Sequence, residues 1–246
     1  MKKLFTSICF ILVLATMGLQ PALATVPTLI SHSIFKKHND GDVKNFNGVA
    51  AGGPINVVIT LGNTEGIRFE GDAEAISTLI TEIKGNVLII RPQNSWTSWA
   101  KKYEDKKITA YVLAKTIKSL TMSGSGRMTV VGKIKESSLA TTLSGSGSIT
   151  AIADVTSFNG VISGSGTLNI EGSAGNANVT LSGSGSFTKK GFSVSSLNTV
   201  ISGSGSINIT VEDNIKAVIS GSGSVNYTGN ATVEKTVMGS GRVRKI

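Results

Sequence analysis

The chain has 246 residues, 40% of them hydrophobic but only 5% aromatic and 16% charged, with a formal net charge of +9. A single cysteine excludes a disulfide-stapled scaffold, and two histidines leave little material for a histidine-based triad or a His-rich metal site. The positive balance suits anionic partners such as lipopolysaccharide, acidic glycans or extracellular DNA, or serves only to keep the surface soluble.

Residues 1–24 read as a secretion signal. Lys2 and Lys3 precede an apolar run from Leu4 to Leu14, and Ala22-Leu23-Ala24 supplies small residues for cleavage. That run is too short to span a bilayer, and nothing later is long enough, so no transmembrane segment is expected after cleavage. Cys9 lies inside the apolar run and would leave with it, as would two positive charges, lowering +9 to +7. The expected location is outside the cytoplasm: periplasm, outer surface or extracellular. Residues 25–44, polar and carrying Pro27, His32 and His38, read as a leader or linker.

Residues 45–115 are less regular and are expected to form the first coils and a cap. Ile55–Leu61, Ile67–Glu70, Val87–Arg91 and Ile108–Val112 have strand character, and Ala73–Ile80 that of a short helix. The segment Trp96 to Lys107 holds both tryptophans. Trp96, Trp99 and Tyr103 fall at i, i+3 and i+7, which aligns them on one helix face. Two readings stay open for it. In one, the aromatic face stacks on a sugar or membrane interface while Lys101 and Lys102 meet anionic groups, which makes these five residues the candidate ligand site. In the other, the helix packs on the end of the fold.

From residue 116 the chain repeats. Ser-Gly-Ser-Gly begins at Ser123, Ser144, Ser163, Ser182, Ser202 and Ser220, with Met238-Gly239-Ser240-Gly241 as a variant seventh copy. The intervals are 21, 19, 19, 20, 18 and 18 residues. Around each copy, apolar and polar residues alternate, as in Phe158-Asn159-Gly160-Val161-Ile162-Ser163, the period of a strand with one buried face. Three apolar columns recur: Met122, Leu143, Ile162 and their successors before the motif; Met128, Ile149, Leu168 after it; Leu139, Phe158, Ala177 five residues ahead. One such unit cannot bury its face alone, so the units must stack. The expectation is an all-β fold, a single-stranded β-helix or β-solenoid, right-handed, with coils of about 19 residues and an irregular N-terminal cap. By parity both glycines of each motif point inward and both serines outward. Stacked at roughly 4.8 Å per coil, the motifs would form a ladder on the order of 30 Å long.

Phe46-Asn47-Gly48-Val49 leading to Ile55-Asn56-Val57-Val58-Ile59-Thr60-Leu61-Gly62, then Glu70-Gly71-Asp72 with Ile83-Lys84-Gly85-Asn86-Val87-Leu88, then Ile117-Lys118-Ser119-Leu120 entering the first Ser-Gly-Ser-Gly, resemble in order the landmarks of the GIN domain, the auto-transporter adhesin head domain of exported bacterial proteins. The resemblance covers residues 45–246. It implies an exported β-helix at the cell envelope and supplies no catalytic motif.

Polysaccharide-active enzymes also use β-helices, and two carboxylates about 5–10 Å apart would be their mark. Asp154 and Glu212 are expected in one column, but in the second and fifth coils, about 14 Å apart by strand spacing. The serines have no base beside them, and the Gly-x-Gly units lack the third glycine of a dinucleotide loop. No catalytic residue, cofactor or metal ligand is therefore expected. The sequence reads as a binding or scaffolding solenoid, with envelope glycans or anionic polymers as partners, no specific nucleic acid, and room for homo-oligomers. A polysaccharide-active enzyme or a purely structural envelope component are the alternatives.

Overall fold

The computed structural model describes residues 43–94, 96–103, 105–187 and 191–246, which belong to a compact unit running from His32 to Ile246. The expected signal (1–24), the leader as far as residue 42, and both histidines lie outside the described residues.

Strand β1 (Gly48–Gly52) and strand β2 (Asn56–Leu61) make the first rung. Strand β3 (Gly66–Gly71), helix α1 (Ala73–Ser77), strand β4 (Leu79–Lys84), strand β5 (Val87–Pro92), helix α2 (Trp96–Lys102) and strand β6 (Ile108–Ala114) follow. β5 lies parallel to β1, and β6 parallel to β2. β4 then pairs antiparallel to β5, and β3 antiparallel to β6, so the stack of parallel rungs ends here in reversed strands. α1 is shorter than the apolar spacing suggested. Asp72 caps it, accepting the Ala75 N–H at 3.0 Å, and Leu79 already belongs to a strand.

Beyond residue 116 the coils run as β7 (Ser119–Gly124), β8 (Arg127–Gly145), β9 (Ser148–Gly164), β10 (Thr167–Gly183), β11 (Ser186–Phe187), β12 (Phe192–Gly203), β13 (Ser206–Gly221), β14 (Ser224–Thr228), β15 (Thr232–Met238) and β16 (Arg242–Lys245). Every pairing among them is parallel and places one motif on the next: Ser144 beside Ser163, Ser163 beside Ser182, Ser182 beside Ser202. The fold is the β-solenoid that the repeat implied. Its three apolar columns are buried up to the last coil, including Leu143, Ile162, Leu181 and Ile201 before the motif and Ile149, Leu168, Phe187 and Ile207 after it, and Val233, Val237 and Val243 at that last coil are half-buried. Phe158, Phe187 and Phe192 meet within this core, with ring centroids 5.3–6.1 Å apart, and Ala177 next to Phe158 leaves space for them. Variation in repeat length is absorbed where expected, between one motif and the next apolar column. The register shifts between Thr129 and Lys133 and between Val194 and Ser196.

The corner corrects the parity argument. The serines are exposed, and the second glycine of each motif from Gly126 to Gly223 is buried, as expected. The first glycine does not face the core. Gly164 has φ +116, and a Cβ there would stand 2.6 Å from the Gly145 carbonyl oxygen of the coil below. It is needed for its left-handed backbone and for close approach along the solenoid axis. Gly166 does point inward, where a Cβ would meet Leu143 Cδ2 at 2.8 Å. The left-handed residue breaks strict alternation, so two glycines that look equivalent in sequence serve different ends. The Gly145 carbonyl accepts both the Ser165 and Gly166 N–H groups, at 3.0 and 2.9 Å, and so carries the backbone ladder around the turn.

Candidate functional site

α2 forms as its spacing foretold, and Trp99 and Tyr103 turn inward. Trp99 and Tyr103, one helical turn apart, are 5% and 4% exposed, with ring centroids 5.2 Å apart. The Trp99 indole N–H donates to Thr78 Oγ1 at 2.7 Å, and that hydroxyl donates to the Ala75 carbonyl. The Tyr103 hydroxyl donates to Glu74 Oε1 at 3.1 Å, and Lys102 Nζ reaches the same oxygen at 2.7 Å. Lys106 pairs with Asp72 at 3.0 Å. Burial thus removes Trp99 and Tyr103 from an exposed stacking face, because the indole and phenol each find a polar partner on α1 or its flanks. Lys101 and Lys102 are exposed; the side chain of Trp96 lies outside the described residues. The Ala75 N–H and then Lys106 hold the Asp72 carboxyl below its ordinary range, while Lys102 and then Tyr103 do the same for Glu74.

The acids of the coils are dispersed. Asp154 shares its column with Lys135, Ser173 and, by way of Ser193, Thr210; Glu212 lies two residues further on, outside the column the sequence assigned to it. Asp154 accepts from Lys133 at 2.9 Å and from Ser173 at 3.0 Å, and the lysine above all lowers its pKa. This carboxylate is poised to stay charged, the opposite of a general acid. Among the described residues no three His, Cys, Asp or Glu side chains converge as a metal site.

A different place is concave. An open groove of about 730 Å³ runs along the outer surface where the first coils meet β6. On one side stand Asn56 and Val58 of β2 with Thr109 and Tyr111 of β6. On the other are two Ser-Gly-Ser-Gly corners, Ser125-Gly126 and Ser146-Gly147, with Arg127 and Ser148 just after them. Arg127 lies directly beside Ser148, which lies beside Thr167, which lies beside Ser186, so one row of outward groups continues up the solenoid. The Thr167 and Ser186 hydroxyls are 3.1 Å apart, and in the neighbouring row Asn226 donates to Asn208 at 2.9 Å and accepts from Arg244 at 2.6 Å. The surface is a ladder of small neutral donors and acceptors held by their neighbours.

Tyr111 divides this groove from a second of about 300 Å³, lined by Thr60, Glu65, Arg68 and Leu113. The Arg68 guanidinium lies 4.0 Å from the Tyr111 ring centroid and pairs with Glu70. Arg68, and after it Tyr111, hold the Glu70 carboxyl low, and Glu70 in turn raises the phenol. No carboxylate lines the larger groove, and none of the ion pairs among the described residues involves Arg127. Neither Arg127 nor Tyr111 is among the residues the sequence offers as a site. Their one shared signal is an outward position in a strand, visible only once β6, β2 and β8 are known to be neighbours.

The family described as "Putative auto-transporter adhesin, head GIN domain" matches residues 45–231. Among proteins of curated function none matches. The fold is shared with a Bacteroides fragilis protein described as a putative adhesin, at a TM-score of 0.73 and 20% identity over 83% of this chain and 94% of that one. A putative adhesin from Parabacteroides merdae gives 0.64 and 22%, over 83% and 93%. A protein from Parabacteroides distasonis described as a putative lipid-binding protein gives 0.63 and 20%, over 83% and 94%.

Proposed function

The chain belongs to the auto-transporter adhesin head GIN domain family, and from that premise we propose that it is an exported, non-catalytic binding module that holds glycans of the bacterial envelope on the outward face of its first coils. In this reading residues 1–24 direct export, 25–44 are a leader, and 45–246 form the domain. The observation that carries the reading is the groove beside Tyr111, lined by hydroxyl, amide and glycine groups and one arginine, with no carboxylate. Polar groups that both donate and accept suit sugar hydroxyls, and a concave surface lets several act at once. The same lining argues against glycosidic cleavage, which needs paired acids.

A panel of envelope polysaccharides and glycans, presented to the purified protein and to a Ser146→Trp variant, tests it. Ser146 is exposed, so the indole fills the groove without entering the core. Binding by the parent and its loss in a variant of unchanged β-sheet spectrum is the expected result. Binding that survives in the folded variant would move the site elsewhere, and sugar release from any polymer would make the protein an enzyme.

A further inference from the structure

The groove carries one charge that nothing in its lining balances. Arg127 leaves the first regular corner at an exposed position, beside the Ser148 hydroxyl. The acid that borders the groove through Tyr111, Glu70, is already engaged by Arg68. The row that Arg127 begins stays uncharged through Ser148, Thr167, Ser186, Ser206 and Ser224, until Arg242. Six coil steps put those two arginines about 29 Å apart, too far to serve one sugar. A planar guanidinium with free donors matches the paired oxygens of a carboxylate or a sulfate, and the hydroxyls around it match a sugar ring.

Resting on the reading of this groove as a glycan site, we infer that it selects an acidic polysaccharide: the Arg127 guanidinium takes the carboxylate or sulfate of one residue, while Ser146, Ser148 and Thr109 take hydroxyls of that residue and the next. Neutral chains of the same backbone lack the group that would satisfy the arginine and bind more weakly.

Dextran, dextran sulfate and polygalacturonate separate the possibilities, because the first two share a backbone and differ in charge. Binding to immobilised protein is measured at physiological salt for the parent, for Arg127→Gln, and for Lys135→Gln, which removes the same charge from an exposed position away from the groove. At least one acidic polymer should bind, dextran should bind weakly or not at all, and Arg127→Gln should lose about tenfold in affinity while Lys135→Gln stays within about twofold. Polygalacturonate alone would assign a carboxylate and dextran sulfate alone a sulfate; both support the inference. Equal losses in the two variants would reduce it to general charge attraction and overturn it. Dextran bound as tightly as dextran sulfate would also overturn it, while leaving the glycan site in place. If no polysaccharide binds, here or in the wider panel, the proposed function falls as well.

Discussion

The N-terminal region through Lys115 and the coils after it solve the same problem by different means. In the first, six of the nine ion pairs among the described residues join groups within residues 65–115, two short helices clasp each other, and two strand pairs run antiparallel. Each of these contacts occurs once. In the coils, one set of contacts recurs: parallel backbone pairing, a glycine corner, three apolar columns and rows of neutral side chains hydrogen-bonded to their own kind. Repetition needs few charges, since each rung is held by the next. A closing end must be built from unique contacts because it has a neighbour on one side only.

The largest test of that contrast lies at the corner. Gly164→Val should destabilise the protein by about 4 kcal/mol or more, since it combines left-handed strain with a clash against the coil below. Gly164→Ala should remain strongly destabilising, because the strain needs only a Cβ. Denaturant unfolding that left Gly164→Ala equal to the parent would show that the corner tolerates an ordinary residue. Next in size, Trp99→Ala should cost about 3 kcal/mol from the buried indole between the helices. Protection of amides in β9 and β10 against hydrogen exchange should change less than that of amides in β4 and β5; equal loss in both would mean that the regions melt as one.

A smaller effect belongs to pH. The carboxyls of Asp72 and Glu74 are lowered from 3.8 and 4.5 by their partners in the fold. Their contribution is therefore fully present above those values and fades as pH falls through the lower folded values. With Trp96→Phe leaving Trp99 as the sole tryptophan, its emission should be constant from pH 7 to pH 5 and shift to longer wavelength below pH 4. A shift beginning above pH 6 would point to a different group. The smallest change concerns the exposed asparagine row, in which Asn178 donates to Asn159 at 3.0 Å and Asn198 to Asn178 at 3.2 Å. Asn178→Ala should cost about 0.5 kcal/mol, within the range of exposed cross-strand pairs. A loss above 2 kcal/mol would show that side-chain rows, rather than backbone and core, hold the coils together.

The same contrast explains what could be read without coordinates. Periodicity exposes whatever repeats, so the solenoid, its columns and the place where length varies all follow from residues such as Leu143, Ile162 and Leu181. It failed at Gly164, where a left-handed backbone turns the next residue without leaving a trace in the alternation. β1, with its run Gly48-Val49-Ala50-Ala51-Gly52, has too little contrast between its faces to announce a strand. The spacing of Trp99 and Tyr103 revealed a helix face but not its direction, which depends on Thr78 and Glu74 more than twenty residues away. The groove was the least legible part. Tyr111 and Arg127 meet across β2, whose place between β6 and β8 is a matter of topology.

The three phenylalanines at the centre of the solenoid have a further consequence for how the chain finds its fold. Because the corners are interchangeable, a strand arriving during folding could dock one whole coil too early or too late and still satisfy its backbone. Phe158, Phe187 and Phe192 come from neighbouring coils and fit beside Ala177; a slip of one coil would set Phe158 against Leu197 instead. In a molecule whose rungs are nearly alike, those rings act as the mark that tells one rung from the next.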